Sequence, residues 1–226
     1  MSDQDSDYIE HNADGANQSN GTGLALPNQQ LPKTLHLLPI NNRPFFPAQV
    51  MPVVVNEQPW HETIEQVAGT EHKALSLFYV DSPLDADGEI DPQQLPNTGC
   101  AVRIHHAVRE NGKIQFIAQG LQRFKITRWL SKEPPYLVEV TYPKEPVDAE
   151  NEETRAYAMA IINGIKELLP INPLYGEELK HYLNRFSPHQ PGPLTDFAAA
   201  ITSAKGPELQ DVLATLSVEE RMQKVL

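Results

Sequence analysis

His61-Glu62-Thr63-Ile64-Glu65 begins as a zinc-protease helix does, with an imidazole followed by a carboxylate that could act as a general base. Chelation from one helix face needs a second histidine four residues on. Glu65 stands there instead, so the imidazole pair that would hold the metal is missing. His105 and His106 are adjacent, and neighbouring side chains of a strand point to opposite faces, so the two cannot grip one ion. Asp85, Asp87, Glu89 and Asp91 alternate in a way that suggests calcium. The glycine comes at the fourth position of that run, not the sixth, and the bidentate glutamate expected at the twelfth is absent, so the run reads as a solvated acidic loop. No G-x-x-x-x-G-K-[ST] phosphate cradle and no G-x-S-x-G nucleophile elbow occur. These residues therefore assign no catalytic role and no metal site.

Binding is the chemistry that remains. Phe45 lies in a proline-rich approach to a strand, Trp60 opens a short helix, and Trp129 precedes the loop Ser131–Pro135. Aromatic side chains in such places can anchor a partner. They can equally bury their large apolar areas in a core. Phe45, Trp60 and Trp129 are the candidate substrate-binding residues.

The elements that would position them follow from periodicity. Val102, Ile104, His106 and Val108 share one face of an extended strand, and Ile114, Phe116 and Ala118 repeat the period of two after Asn111-Gly112. Asn-Gly suits a type I′ turn, so Cys100 to Gln119 is a hairpin. Gly120 marks a bulge or the close approach of another backbone. Order begins near Thr34, where Leu35, Leu37 and Leu38 lead into Pro39-Ile40 as a short strand ended by proline. Met51–Val55, Ala74–Val80, Leu121–Leu130 and Tyr136–Tyr142 read as further strands. Trp60 to Val67 has helical spacing, with Pro59 near its first turn and Gly69 closing it. Beyond Pro143-Lys144-Glu145-Pro146 the period becomes helical. Asp148 can cap a helix carrying Tyr157, Ile161, Ile165 and Leu168. Asn172-Pro173 opens a second, with Leu179, Leu183 and Phe186. A linker, Ser187–Pro193, leads to Leu194, Phe197 and Ile201 on a third, and Pro207–Leu216 supplies a fourth. Ser217-Val218-Glu219-Glu220 forms a capping box for a fifth. That helix reads as truncated at Leu226, because so short a helix is marginal alone.

These elements define an α+β chain in three parts: an acidic, polar tail over residues 1–32 that reads as disordered, a β-barrel over 33–143, and a helical bundle over 147–226. The chain has 226 residues, 40% of them hydrophobic, enough for a sizeable core. The net charge of −12 argues against nucleic acid, whose binding rests on clustered Lys and Arg. The single Cys100 excludes an internal disulfide and a cysteine zinc site. No apolar run approaches the ~20 residues of a membrane span, and the N-terminus lacks a secretory pattern. A cytoplasmic protein is expected.

In order along the chain come Leu37-Leu38-Pro39, Phe46-Pro47, Pro52-Val53 with Val55, Gly120-Leu121-Gln122-Arg123-Phe124, Pro135-Tyr136-Leu137, Leu194-Thr195-Asp196-Phe197-Ala198 and Leu213 through Met222. With these motifs the chain from about Leu35 to Leu226 resembles the N-terminal domain of Lon-type ATP-dependent proteases. The resemblance implies a PUA-like β pseudo-barrel of about six strands and one short helix, followed by a helical bundle. It implies recognition of misfolded or unfolded protein segments, and assembly with other subunits of a homo-hexamer. It implies no cofactor for this chain. ATP and magnesium belong to the family's ATPase domain, and peptide cleavage to its Ser–Lys protease domain. Phe46, Pro47, Pro52, Gly120 and Arg123 are its structural motif residues. Arg123 reads first as architecture, its planar fork pairing with a carboxylate or with carbonyls near Gly120. A charged contact to substrate or to a neighbouring subunit is the other reading. A free-standing adaptor or scaffold of the same fold is the alternative function. An RNA-binding module of the PUA type is a third, disfavoured by the charge.

Overall fold

The computed structural model describes residues 31–81, 90–92, 95–146, 152–168 and 190–226. The tail, most of the acidic loop, the Asp148 cap and the helix expected around Leu179–Phe186 lie outside the described residues. Leu31–Leu226 form one compact unit.

Six strands make one mixed sheet. They are β1 (Thr34–Ile40), β2 (Val50–Asn56), β3 (Ala74–Tyr79), β4 (Thr98–Glu110), β5 (Lys113–Ser131) and β6 (Leu137–Thr141). Their order is β2-β5-β4-β3-β1-β6, and β5 also pairs with β6, which closes five strands into a barrel. β1 and β3 run parallel; the other pairs are antiparallel. The fold is α+β.

The hairpin and the strand expected at Leu121–Leu130 are one element, because β5 continues for 19 residues through Gly120. Its first half pairs with β2 and β4, and its second half pairs with β6. Asn111 and Gly112 have φ of 52° and 71°, as a type I′ turn requires. Gly120 serves both roles open to it. The register shifts between Ala101 and Val102 opposite it, and a Cβ there would run into the Phe46 carbonyl. The turn that holds Phe46 grips Gly120 through Ala48 N–H to Gly120 O (3.0 Å) and Gly120 N–H to Gln49 O (2.8 Å).

The alternation expected along β4 stops early. Val102 and Ile104 are buried, but His106 and Val108 are exposed. His106 takes a φ of 50° and the register shifts between His105 and Val108, so a bulge turns the strand end over.

Helix α1 (Glu57–Ala68) buries Trp60, Ile64 and Val67 against the barrel. The second half contributes α2 (Glu152–Leu168), α3 (Pro191–Ile201), α4 (Gly206–Ala214) and α5 (Val218–Val225). Ala158, Ile161 and Ile165 of α2 pack with Leu194 and Ala198 of α3 and with Val218 and Met222 of α5. Glu220 N–H donates to Ser217 Oγ at 3.3 Å, which starts α5 where the cap residues stand.

A third apolar cluster joins the two halves. Phe46 from the barrel side packs with Ala199 of α3 and with Leu209, Val212 and Leu213 of α4. Gln210 donates from Nε2 to Thr98 O at 2.9 Å. Cys100, fully buried in the barrel core, has its thiol pushed up to about 12 by burial. Thiol reagents should therefore leave the native protein unmodified and label Cys100 only in denaturant, as intact mass before and after unfolding would show.

Candidate functional site

The aromatic candidates come together in part, and they do so inside the protein. Trp60 and Trp129 both lie against Tyr136, each with ring centroids 6.3 Å from it. Trp60 and Phe45 are buried members of the barrel core, and Trp129 is half-buried against it. Neither Phe45 nor Trp60 presents its ring to solvent. The physical reason is the large apolar area of each ring, which the barrel end covers.

Arg123 is also internal. At 3% exposure it donates from Nη1 to Asp196 Oδ2 at 2.7 Å, bonds Asp196 Oδ1 through Nη2, and donates from Nε to Leu213 O at 2.9 Å. Arg221, with no exposed surface, approaches the same carboxylate (Nε to Oδ1, 3.5 Å) and Glu145 Oε1 (Nη2, 2.7 Å). These Arg221 approaches are charge contacts without well-aligned hydrogen bonds. Its aligned bonds run from Nη1 to the carbonyls of Thr215 (3.3 Å) and Leu216 (3.2 Å). Burial works against the Arg123 charge, but hydrogen bonding and attraction from Asp196, then Glu145, leave its pKa raised. Two arginines and two carboxylates thus clamp β5, the segment after β6, α3 and α5 together. Each charge is spent on another, which suits a structural clamp better than a ligand site.

The accessible chemistry lies on the outer face of β2, β5 and β4. Val54, Gln115 and Val108 form one cross-strand row; Pro52, Ile117 and His105 form the next; Val50, Gln119 and Arg103 form the third. Val50 is 51% exposed, Val54 55%, Val108 58% and Ile117 38%. Four large aliphatic side chains on one solvated sheet face make an apolar patch of the kind that marks interaction surfaces. His105 Nε2 and Gln119 Oε1 lie 3.0 Å apart at its margin. On the barrel side Val53 and Val55 pack against the core with Ile114 and Phe116. The patch escaped the sequence reading because Val53-Val54-Val55 is apolar on both faces. An uninterrupted valine run in a strand that does not alternate was the signal available.

Beside the patch, two adjoining clefts open along β2. One, of about 210 Å³, lies between Ala48–Met51 and Phe197 and Ile201 of α3. The other, of about 390 Å³, lies between Ile40–Phe45 and Met51–Val55. Gln49, Met51 and Ala200 line both. Among the described residues no group of His, Cys, Asp and Glu could hold a metal ion, and no helix is long and apolar enough to cross a membrane.

The described residues form a clamped barrel that presents a solvated apolar sheet face. Residues 34–226 match the family model for the ATP-dependent protease La (LON) substrate-binding domain, and the chain belongs to that family. It is 41% identical over 205 residues to Lon protease 2 of Hydrogenovibrio crunogenus, covering 91% of this chain and 23% of that protein. It is 38% identical over 199 residues to the Lon protease of Magnetococcus marinus, covering 87% and 24%. The chain thus spans about a quarter of the length of these curated relatives. The fold is that of the N-terminal domain of Mycobacterium avium complex Lon protease, with a TM-score of 0.68 at 19% identity over 85% of this chain and 96% of that one. A Lon N-terminal domain protein from Xanthomonas campestris matches with a TM-score of 0.57 at 15% identity, with the same coverage.

Proposed function

We propose that this domain captures misfolded or unfolded protein segments for an ATP-dependent Lon-type protease, and that it does so on the outer face of β2, β5 and β4. The observation that carries this reading is the exposed patch of Val50, Val54, Val108 and Ile117 in a family defined by substrate binding. Apolar side chains are buried in folded proteins and exposed in unfolded ones, so a solvated aliphatic face selects folding state without selecting sequence.

Such a face binds weakly, and several copies in a homo-hexamer would raise the overall affinity by effective concentration. The Arg123–Asp196 clamp supports a role for the helices in assembly, since it would hold the face in a set orientation to whatever the helices dock on. ATP and magnesium would serve the ATPase part of the longer protein, and a Ser–Lys pair its protease part. No cofactor and no nucleic acid are assigned to this chain, and its setting is the cytoplasm.

Titration of a permanently unfolded, carboxymethylated model protein should give saturable binding in the high micromolar range, with the folded form of the same protein not bound. Replacing Ile117 and Val108 with aspartate puts charge on the face and should weaken binding at least about fivefold, while the unfolding curve stays in place. Equal binding by parent and variant, or none by the parent at high micromolar concentration, would refute this function.

A further inference from the structure

The outer edge of β2 carries a backbone pattern of its own. β2 pairs with β5 on one side only. In an antiparallel pair, alternate residues turn their N–H and C=O groups to the partner, and those between turn them away. Both ends of this register give the same parity. Glu57 N–H donates to Gly112 O at 2.8 Å, and Gly120 N–H donates to Gln49 O at 2.8 Å. Residues 51, 53 and 55 therefore bond β5, and Val50, Pro52 and Val54 direct their backbone groups to the free edge. Pro52, with no N–H to give, sits where no bond to β5 is lost. The edge offers the donors of Val50 and Val54 and the carbonyls of Val50, Pro52 and Val54. Among the described residues no backbone group bonds to them.

This edge opens on the two clefts: the smaller is walled mostly by apolar side chains, and the larger adds Asn41, Asn42 and Arg43 to its valines. Arg43 is their one charged lining residue among those described. A single bond from its Nη2 to Ala199 O (3.3 Å) leaves most of its donors available. A cleft with one cation and no acid favours an acidic residue in the segment that occupies it and disfavours a basic one.

The geometry points to strand addition: an extended, apolar polypeptide segment bearing an acidic residue opposite Arg43 pairs by its backbone with the free edge of β2. The inference rests on the substrate-capture reading above and adds to the outer face a neighbouring edge and a mode of pairing. Main-chain pairing supplies affinity without sequence, and alternate side chains take the clefts, apolar ones against the valines and an acidic one toward Arg43. Pro52 interrupts the row of donors, which keeps the pairing short and reversible and discourages two edges from joining. A recognition site that must release its substrate gains from that interruption.

The test uses the whole chain and a short fluorescent peptide of alternating valine and threonine with one glutamate. Two versions are N-methylated on alternate residues in the two possible phases. One phase should lose affinity at least about tenfold and the other little, because only one set of peptide N–H groups faces β2. Pro52→Val restores a donor and should tighten binding about fivefold, and Val54→Pro removes one and should weaken it about as much. Amide exchange at Val50 and Val54 should slow when peptide is present. The N-methylated peptides leave the protein untouched, so a misfolded Val54→Pro variant would not decide the matter. If both phases bind like the parent peptide, strand addition is wrong while capture on the outer face stands. If neither peptide nor unfolded protein binds, both fail. If the chain dimerises without peptide and Val54→Pro disperses it, the edge is an interface between copies and the proposal is overturned.

Discussion

Replacing Asp196 with alanine is expected to cost about 3–5 kcal/mol of stability, because it leaves two buried guanidinium groups without their shared carboxylate. Arg123 is 3% and Arg221 0% exposed. Neither can swing into water without opening the seam between β5 and the helices. Glu145, whose side chain is 38% exposed, cannot take over the place of Asp196, since it already contacts Arg221 at 2.7 Å and Arg123 at 3.4 Å. In a domain of this size the loss corresponds to a melting temperature lower by about 10 °C or more. Urea unfolding measures it directly. Glu145→Ala is the control and should cost clearly less, because the exposed edge of that carboxylate is already solvated. Arg123→Ala should resemble Asp196→Ala, and the double variant should be less damaging than the sum, since the two side chains share one interaction. Strict additivity would mean that the clamp contributes nothing beyond packing.

Gly120→Ala is expected to be the most damaging addition of a single carbon anywhere in the barrel. A Cβ at this position meets the Phe46 carbonyl oxygen and crowds the Pro47 backbone. A flexible side chain could move aside, but these are main-chain atoms held by Ala48 N–H and Gln49 O on Gly120 itself. The turn must shift as a whole, and Phe46 must shift with it, away from Ala199, Leu209 and Leu213. Overpacking against backbone costs about 3 kcal/mol. The effect should extend past the barrel, with the helices becoming more labile because Phe46 is their apolar contact with it. Amide exchange in α3 and α4 would show this. Protection unchanged in both helices, with stability lost only in the barrel, would overturn the coupling.

Much of this was legible in the residues. Asn111-Gly112 specifies its turn because only residues tolerant of positive φ fit there, and alternation over Ile114, Phe116 and Ala118 set the buried face. Ser217 with Glu220 marked the start of α5, and the motifs from Leu37 to Met222 pointed to the family. Less legible was whether a feature was local or shared. Gly120 was marked as a bulge or a close approach, and both turned out to hold, at the same point. His106 and Val108 kept the period of two, and a bulge nonetheless turned them outward.

The candidate site was the least legible part. Phe45 and Trp60 have the residue types of anchors, yet burial depends on what covers them: both are members of the barrel core, and Tyr136 lies against Trp60. Val50, Val54, Val108 and Ile117 come from three strands, and their common exposure exists only once β2, β5 and β4 lie side by side. Local chemistry is written in a few consecutive residues: turn, cap, strand period, and the lack of a metal or nucleophile pattern. Which carboxylate neutralises Arg123, which valine face meets water, and which strand edge stays unpaired are contacts between residues far apart in the chain. Those follow from packing, because burial and pairing are properties of neighbours in space.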